Sequence, residues 1–85
     1  MDDSQKPEIE YPCAWEYKII GLDARLMKDA VAQILADTAY TLDPSHVSSG
    51  GKYVSMTVEV TVVDEANRYQ VFESLRNHSA IRMVL

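Results

Sequence analysis

The stretch from Lys52 to Val63 reads KYVSMTVEVTVV, and apolar and polar residues alternate in it without a break from Tyr53 to Val62. One face consists of Val54, Met56, Val58, Val60 and Val62. The other face consists of Tyr53, Ser55, Thr57, Glu59 and Thr61. Because successive side chains of a strand point to opposite faces, this period of two predicts a strand with one buried face. Its length and its lack of proline favour a central position in a sheet.

The residues before this stretch predict a strand followed by a helix. Apolar and polar residues alternate again from Ala14 to Ile20, which predicts a strand. Gly21 ends this strand, because glycine accepts the backbone angles that a tight turn after a strand requires. The apolar face of this strand consists of Trp15, Tyr17 and Ile19. Asp23 is suited to cap a helix from Ala24 to about Asp37. Its apolar face, at helical spacing, consists of Leu26, Ala30, Val31, Ile34 and Leu35.

The segment from Tyr40 to Ser49 has the weakest pattern in the chain. Its apolar and β-branched residues Thr41, Leu42 and Val47 suit a strand, and Pro44 points to an edge strand or a bulge. The following Ser48-Ser49-Gly50-Gly51 predicts a turn, so this strand and the one from Tyr53 form a hairpin. A second interpretation stays open for the same four residues, namely a mobile loop that closes on a partner or ligand.

The last third of the chain predicts one more helix and one more strand. Asp64 is suited to cap a helix from Glu65 to Asn77, with Arg68 on its polar side. The apolar face of that helix consists of Tyr69, Val71, Phe72 and Leu75. The final run from Ala80 to Leu85 predicts a strand. Its residues Ile81, Met83 and Leu85 share one face.

The predicted order is βαββαβ, which is the ferredoxin-like arrangement. Each βαβ unit crosses over with a right hand, so both helices lie on one face of a four-stranded antiparallel sheet. The fold class is therefore α+β. The predicted core consists of Trp15, Tyr17, Ile19, Ile34, Leu35, Val54, Met56, Val58, Val60, Phe72, Leu75 and Ile81. The open face carries Glu16, Lys18, Ile20, Ser55, Thr57, Glu59 and Arg82.

Length and composition indicate one small domain in the cytoplasm. The 85 residues allow a single domain over residues 13–85, preceded by a flexible acidic tail over residues 1–12. The single cysteine forbids an internal disulfide and suits a reducing compartment. No apolar run approaches the roughly 20 residues of a membrane span. With a net charge of −5 and no run of Lys or Arg, neither nucleic acid nor an anionic membrane is a predicted partner.

The chain lacks the residue patterns on which the familiar sites of this fold depend. Cys13 is its only cysteine, so neither an iron–sulfur cluster nor a Cys-x-x-Cys metal site is predicted. A phosphate site of the acylphosphatase kind would lie at the turn after the first strand, where Asp23 would repel the anion. RNA-recognition motifs need aromatic residues on the open face, where only Tyr53 is aromatic. His46 and His78 lack convergent partners and are predicted to be surface or capping residues. No catalytic residue, metal or cofactor is predicted.

Four short motifs follow one another along the chain. They are Tyr11-Pro12, Trp15-x-Tyr17-Lys18-x-x-Gly21, Ser48-Ser49-x-x-x-Tyr53-x-Ser55 and the ending Arg82-Met83-Val84-Leu85. In order and spacing they resemble the YbeD-like family of small bacterial proteins, over roughly Tyr11 to Leu85. The second helix departs from the pattern in being more polar at Arg68 and His78. The resemblance implies a ferredoxin-like, ACT-like fold of unknown function. ACT domains are regulatory modules that bind small molecules, so the resemblance implies no catalytic residue.

These observations lead to a hypothesis of a non-enzymatic regulatory module that binds an unknown small molecule or a partner protein. The candidate contact residues are Lys18, Gly21, Ser48, Ser49, Gly50, Gly51, Tyr53, Ser55 and Arg82. A second hypothesis is a structural or assembly protein that forms a homodimer through its sheet, because edge strands invite pairing. A third, an acylphosphatase-like enzyme dependent on Arg25, is disfavoured by the charge of Asp23.

Overall fold

The computed structural model describes residues 9–47 and 51–85 of the chain. Its elements are β1 (Cys13–Gly21), α1 (Ala24–Ile34), β2 (Tyr40–Val47), β3 (Val54–Val62), α2 (Glu65–Arg76) and β4 (Met83–Val84). The predicted order βαββαβ is confirmed. Predicted contacts at residues 48–50 lie outside the described residues, as does most of the predicted acidic tail.

The four strands form one antiparallel sheet in the order β2-β3-β1-β4. β3 lies between β2 and β1, which confirms the central position predicted for it. The pairing of β1 with β3 runs from Cys13 opposite Val62 to Gly21 opposite Val54. With α1 and α2 packed on one face of this sheet, the chain has the α+β, ferredoxin-like fold.

The core lies between the sheet and the helices and takes the inward side chains of β1 and β3. Its buried members are Tyr17, Ile19, Met27, Ala30, Val31, Leu35, Met56, Val58, Val60, Val62, Val71, Leu75 and Ile81. Four predicted core residues are only partly buried and pack against it. They are Trp15, Ile34, Val54 and Phe72. Tyr11, just before β1, packs against the same core.

The apolar face predicted for α1 was wrong by one position near its start. Leu26 is 55% exposed, whereas Met27 is fully buried. Met27, Ala30 and Val31 have the three- and four-residue spacing of one helical face, and Leu26 lies about 100° round the helix from Met27. The helix is also shorter than predicted, because Leu35 at its C-cap leaves the helical backbone conformation, with a φ of −107° and a ψ of 31°.

Both helix starts were predicted correctly. Oδ1 of Asp23 accepts the N–H of Leu26 at 3.0 Å, and Oδ1 of Asp64 accepts the N–H of Asn67 at 2.7 Å. These bonds satisfy backbone donors that have no partner inside the helix. The apolar face predicted for α2 holds for Val71 and Leu75, but Tyr69 is 56% exposed.

The two outer strands differ in how well their patterns predicted them. β2 pairs with β3 through a register shift between Asp43 and His46, so the interruption predicted near Pro44 is confirmed. β4 has only two residues, and the alternation predicted for it was wrong. Ile81 is buried and Val84 packs against the core, while Met83 and Leu85 are 51% and 66% exposed.

The alternation fails because the chain bends before β4 begins. Ile81 closes a turn by donating its N–H to the carbonyl oxygen of His78 at 3.0 Å, and Arg82 donates to Ile20 at 2.8 Å. Pairing as a strand starts only with Met83 opposite Ile20. A period of two cannot continue through a turn, so Met83 points away from the face that Ile81 occupies. No helix among the described residues combines the length and apolar composition that a membrane crossing requires.

Candidate functional site on the open sheet face

The open face of the sheet is built from the outward side chains of β1 and β3. The register sets Ile20 opposite Ser55, Lys18 opposite Thr57 and Glu16 opposite Glu59. Lys18, Glu16 and Glu59 are exposed, while Ile20, Ser55 and Thr57 are partly buried. Residues predicted from separate motifs therefore lie side by side on one surface.

A shallow depression of about 440 Å³ lies at the end of this face where β1 leaves the sheet. Its walls are Ile20, Tyr53, Arg82 and Met83. Tyr53 directly precedes β3, and its ring is 5.4 Å from Nζ of Lys52. The backbone bond from Arg82 to Ile20 and the pairing of Met83 with Ile20 hold the last segment of the chain against β1. We call this surface the open-face depression.

The open-face depression unites some of the predicted contact residues. Tyr53 and Arg82 line it, Ser55 lies opposite the lining residue Ile20, and Lys18 is the next outward residue along β1. Gly51 precedes Tyr53 by two positions and has a φ of 71°, a left-handed angle that glycine adopts without strain. The predicted contacts Ser48, Ser49 and Gly50 lie outside the described residues.

Gly21 contributes to the depression through close packing. It is buried at the end of β1, and a Cβ there would lie 2.6 Å from the carbonyl oxygen of Ala80 and 2.8 Å from Sδ of Met27. The absence of a side chain thus lets the chain before Arg82 approach β1. This contact alone accounts for a glycine at position 21.

The turn from α2 to β4 is held by a histidine. The N–H of Ala80 donates to Nδ1 of His78 at 3.1 Å, and Nε2 of His78 lies 3.3 Å from Oε1 of Gln33. His78 thus holds the turn that follows α2, whereas the C-cap of that helix is Asn77. Cys13 is partly buried and packs against the core, as expected of a small apolar residue. Within residues 9–47 and 51–85, no three His, Cys, Asp or Glu side chains converge in a way that would hold a metal ion.

The structure reveals one further cluster that the sequence pattern did not predict. Arg68 was placed on the polar side of α2, yet its side chain is only 14% exposed. Its Cζ atom lies 4.3 Å from the ring centre of Trp15 and 4.9 Å from that of Tyr69. The O–H of Tyr17 donates to the backbone carbonyl of Arg68 at 2.6 Å. The bond from Tyr17 joins β1 to α2 across 51 positions of sequence, so no local pattern could have found it.

The side chains of this cluster line a pocket of about 160 Å³ that is open to solvent on one side. It is lined by Trp15, Tyr17, Arg68, Tyr69 and Phe72. Burial raises the pKa of Tyr17 above its usual value; the positive charge of Arg68 opposes that rise and Tyr11 adds to it. We call this cavity the Arg68 pocket. It lies on the helix side of the sheet, near the end of β1 away from the open-face depression.

Comparison with known proteins identifies relatives along the whole chain. Residues 6–85 match the family described as "Protein of unknown function (DUF493)". The chain is 36% identical to a UPF0250 protein of Hahella chejuensis, with all of both chains covered. It is 31% identical to an uncharacterised protein of Campylobacter jejuni, over 88% of this chain and 86% of that one. The resemblance to the YbeD-like family is thereby confirmed.

A solved structure shares the fold. The solution structure of protein HP0495 from H. pylori superposes with a TM-score of 0.82 at 26% sequence identity. The match covers 98% of this chain and 91% of that one.

Proposed function

Because the chain belongs to the DUF493 family, whose members are described as proteins of unknown function, we propose a function from its own geometry: a non-catalytic regulatory module that binds a partner protein through the open-face depression. The observation that carries the proposal is the lining of that depression by Ile20, Tyr53, Arg82 and Met83. Tyr, Met and Arg are the residue types enriched in protein interfaces. Tyr53 and Met83 are 40% and 51% exposed, so a partner can cover them.

The shape of the depression favours a protein over a small molecule. Small-molecule sites are concave and bury most of the ligand surface. The open-face depression is wide and open to solvent, with about 440 Å³ lined by four residues. A metabolite in it would keep much of its surface in water, whereas a protein surface would cover the depression and its rim together.

Charge indicates the chemistry of the partner. Arg82 lines the depression together with the apolar side chains of Ile20 and Met83, and Lys18 is the next outward residue of β1. Arg82 is exposed, and its charge gains most from a carboxylate brought there by a partner that also excludes water. We therefore expect an acidic side chain among apolar residues on the partner.

One feature supports a non-catalytic role. The carboxylate of Asp23 occupies the N-terminus of α1, where an acylphosphatase-like enzyme would need a phosphate. Its charge would raise the free energy of a bound anion at that place. The single cysteine suits a reducing compartment, and on that ground we propose the cytoplasm as the place of action.

Site-specific photocrosslinking in cells, followed by measurement with purified proteins, tests this proposal. A photoreactive residue at position 83 should capture a protein that the same group at exposed position 28 of α1 does not capture. With the captured protein purified, Arg82→Glu should weaken binding at least tenfold, whereas Lys28→Glu should leave it unchanged. Equal capture from both positions, or equal affinity of both variants, would contradict the proposal.

A second candidate function is self-association through the same face. Glu16 and Glu59 lie opposite each other, while Lys18 and Arg82 lie toward the other end of the face. A two-fold-related copy would set the acidic pair of one chain against the basic pair of the other, which makes the face self-complementary. Sedimentation equilibrium should then show a dimer that salt weakens and Arg82→Glu disrupts. A monomer at every protein concentration and at low salt would remove this candidate.

A further inference from the structure

The Arg68 pocket holds a cation with little of the solvation that a free guanidinium has in water. The Arg68 side chain is 14% exposed, and its Nε atom is buried without a hydrogen-bond partner among the described residues. A buried donor that lacks an acceptor is unfavourable, and a charged one more so. The rings of Trp15 and Tyr69 compensate part of this cost through cation–π contacts.

A second arginine on the same helix shows how loosely Arg68 is paired. In the described part of the chain, the carboxylate that pairs with Arg68 is that of Glu65, at 3.6 Å, and Glu65 is 68% exposed. Arg76 has the same three-residue spacing to Glu73, but there the distance is 3.0 Å and the pair forms a hydrogen bond. Arg76 is 55% exposed, so water solvates it in addition. The more buried of the two arginines thus has the weaker anionic partner.

The geometry of the pocket defines which ligand would complete it. The aromatic rings lie close to the guanidinium carbon, and a guanidinium binds acceptors at its edge, where its N–H groups form a fork that matches a carboxylate. The remaining walls are the aromatic side chains of Trp15, Tyr17, Tyr69 and Phe72. Benzene fits an apolar cavity of about 150 Å³. This pocket has about 160 Å³, so a ring of that size fits in it with one side toward solvent.

From these observations we propose that the Arg68 pocket binds a small carboxylic acid with a compact ring-sized apolar body. The carboxylate binds at the edge of the Arg68 guanidinium in place of Glu65, and the apolar body lies against Trp15 and Phe72. The bond from the hydroxyl of Tyr17 to the Arg68 carbonyl holds this turn of α2 against β1, so the site exists before a ligand arrives. The proposal is independent of partner binding at the open-face depression, which lies on the other face of the sheet.

Benzoate is a suitable probe of the Arg68 pocket, and the fluorescence of Trp15 can report its binding. Trp15 is the only tryptophan of the protein, so tryptophan fluorescence reports on a wall of the pocket. We expect benzoate to change that fluorescence saturably and to shift the backbone NMR signals of Arg68 and Tyr69. Benzamide, which has the ring without the charge, should bind at least tenfold more weakly. Acetate, which has the charge without the ring, should do the same.

Variants separate ligand binding from a purely structural role of the cluster. Arg68→Met should weaken benzoate binding at least tenfold and leave benzamide binding unchanged. Glu65→Gln removes the competing carboxylate from an exposed position and should strengthen benzoate binding severalfold. Arg76→Met and Glu73→Gln are the matched controls one pair further along α2 and should leave benzoate binding unchanged.

The outcomes that overturn the proposal are equally defined. They are the lack of any saturable response to benzoate, equal affinity for benzamide, or a benzoate affinity that Glu65→Gln does not raise. Glu65 is exposed, so that variant still tests the site even if Arg68→Met fails to fold. A structural cluster without a ligand would lower stability in Arg68→Met but would not make the affinity for benzoate depend on Glu65.

Discussion

Gly21 and Ala80 approach so closely that a Cβ at position 21 would lie 2.6 Å from the Ala80 carbonyl oxygen. The contact joins the end of β1 to the turn before β4. It sets how near Arg82 comes to Ile20, to which Arg82 donates a backbone hydrogen bond at 2.8 Å. One glycine thus connects the packing of the core to the shape of the open-face depression.

The first prediction follows from that contact. Gly21→Ala should lower the free energy of unfolding by about 1–3 kcal/mol, because the added methyl group forces the backbone of Ala80 to move. Urea denaturation measures the loss. Gly51→Asn is the control, since the site is open and asparagine accepts a φ of 71°; it should stay within about 0.5 kcal/mol of the parent. If Gly21→Ala is as stable as the control, the close approach is not present in solution.

The second prediction tests the observed face of α1 with two neighbouring residues. Met27 is fully buried, and Leu26 is 55% exposed. Met27→Ala should cost about 2–5 kcal/mol of unfolding free energy, because it removes buried apolar volume and leaves a cavity. Leu26→Ala should change stability by about 0.5 kcal/mol or less. Chemical denaturation compares the two variants directly, and a larger loss for Leu26→Ala would restore the face predicted from the sequence.

The third prediction concerns alkaline pH. Burial raises the pKa of Tyr17 above 10.0. The neutral phenol therefore stabilises the fold fully below the unfolded pKa. This contribution is lost as the pH rises above about 10. There Tyr17 ionises in the unfolded chain, whereas burial opposes its ionisation in the folded chain.

Tyr17→Phe tests this dependence. At neutral pH the variant should lose about 0.5–1.5 kcal/mol of stability through the missing hydrogen bond to Arg68. Above pH about 10 the difference between parent and variant should shrink. Denaturation at a series of pH values gives that difference, and Tyr69→Phe at a 56% exposed position serves as the control. A difference that stays constant to the highest pH would mean that the pKa of Tyr17 is not raised.

The fourth prediction concerns the two carboxylates that face each other on the open sheet face. Glu16 and Glu59 are directly opposite in the register, and like charges in this position destabilise a sheet. Glu59→Gln should therefore raise the unfolding free energy by a few tenths of a kcal/mol at low salt, and by less at high salt.

A double-mutant cycle with Glu16→Gln provides the internal control. Once Glu59 is neutral, neutralising Glu16 should bring little further gain, because the repulsion is already gone. Strictly additive effects of the two substitutions would show that the carboxylates do not interact. The cycle also bears on the self-association candidate, since a partner chain that neutralises this pair would reverse the sign of both effects.

The sequence by itself determined the central elements of the fold. The alternation in β3 and β1 predicted both strands and the faces they bury, because successive side chains of a strand point to opposite faces of the sheet. Asp23 and Asp64 marked the helix starts, since a capping bond spans only three residues. The turn residues between β2 and β3 predicted the hairpin. The order of elements contains two βαβ units, and each of them crosses over with a right hand. The predicted topology is therefore the ferredoxin-like arrangement.

Tertiary structure decided what depends on contacts between distant residues. Which of Leu26 and Met27 faces the core depends on how α1 lies on the sheet, and the outward turn of Met83 depends on the bend at Ile81. The open-face depression exists because the bonds of Arg82 and Met83 to β1 bring them close to Tyr53. The burial of Arg68 depends on Trp15, more than fifty positions earlier in the chain. Local periodicity carries no information about such contacts, because only the packed chain brings those side chains together.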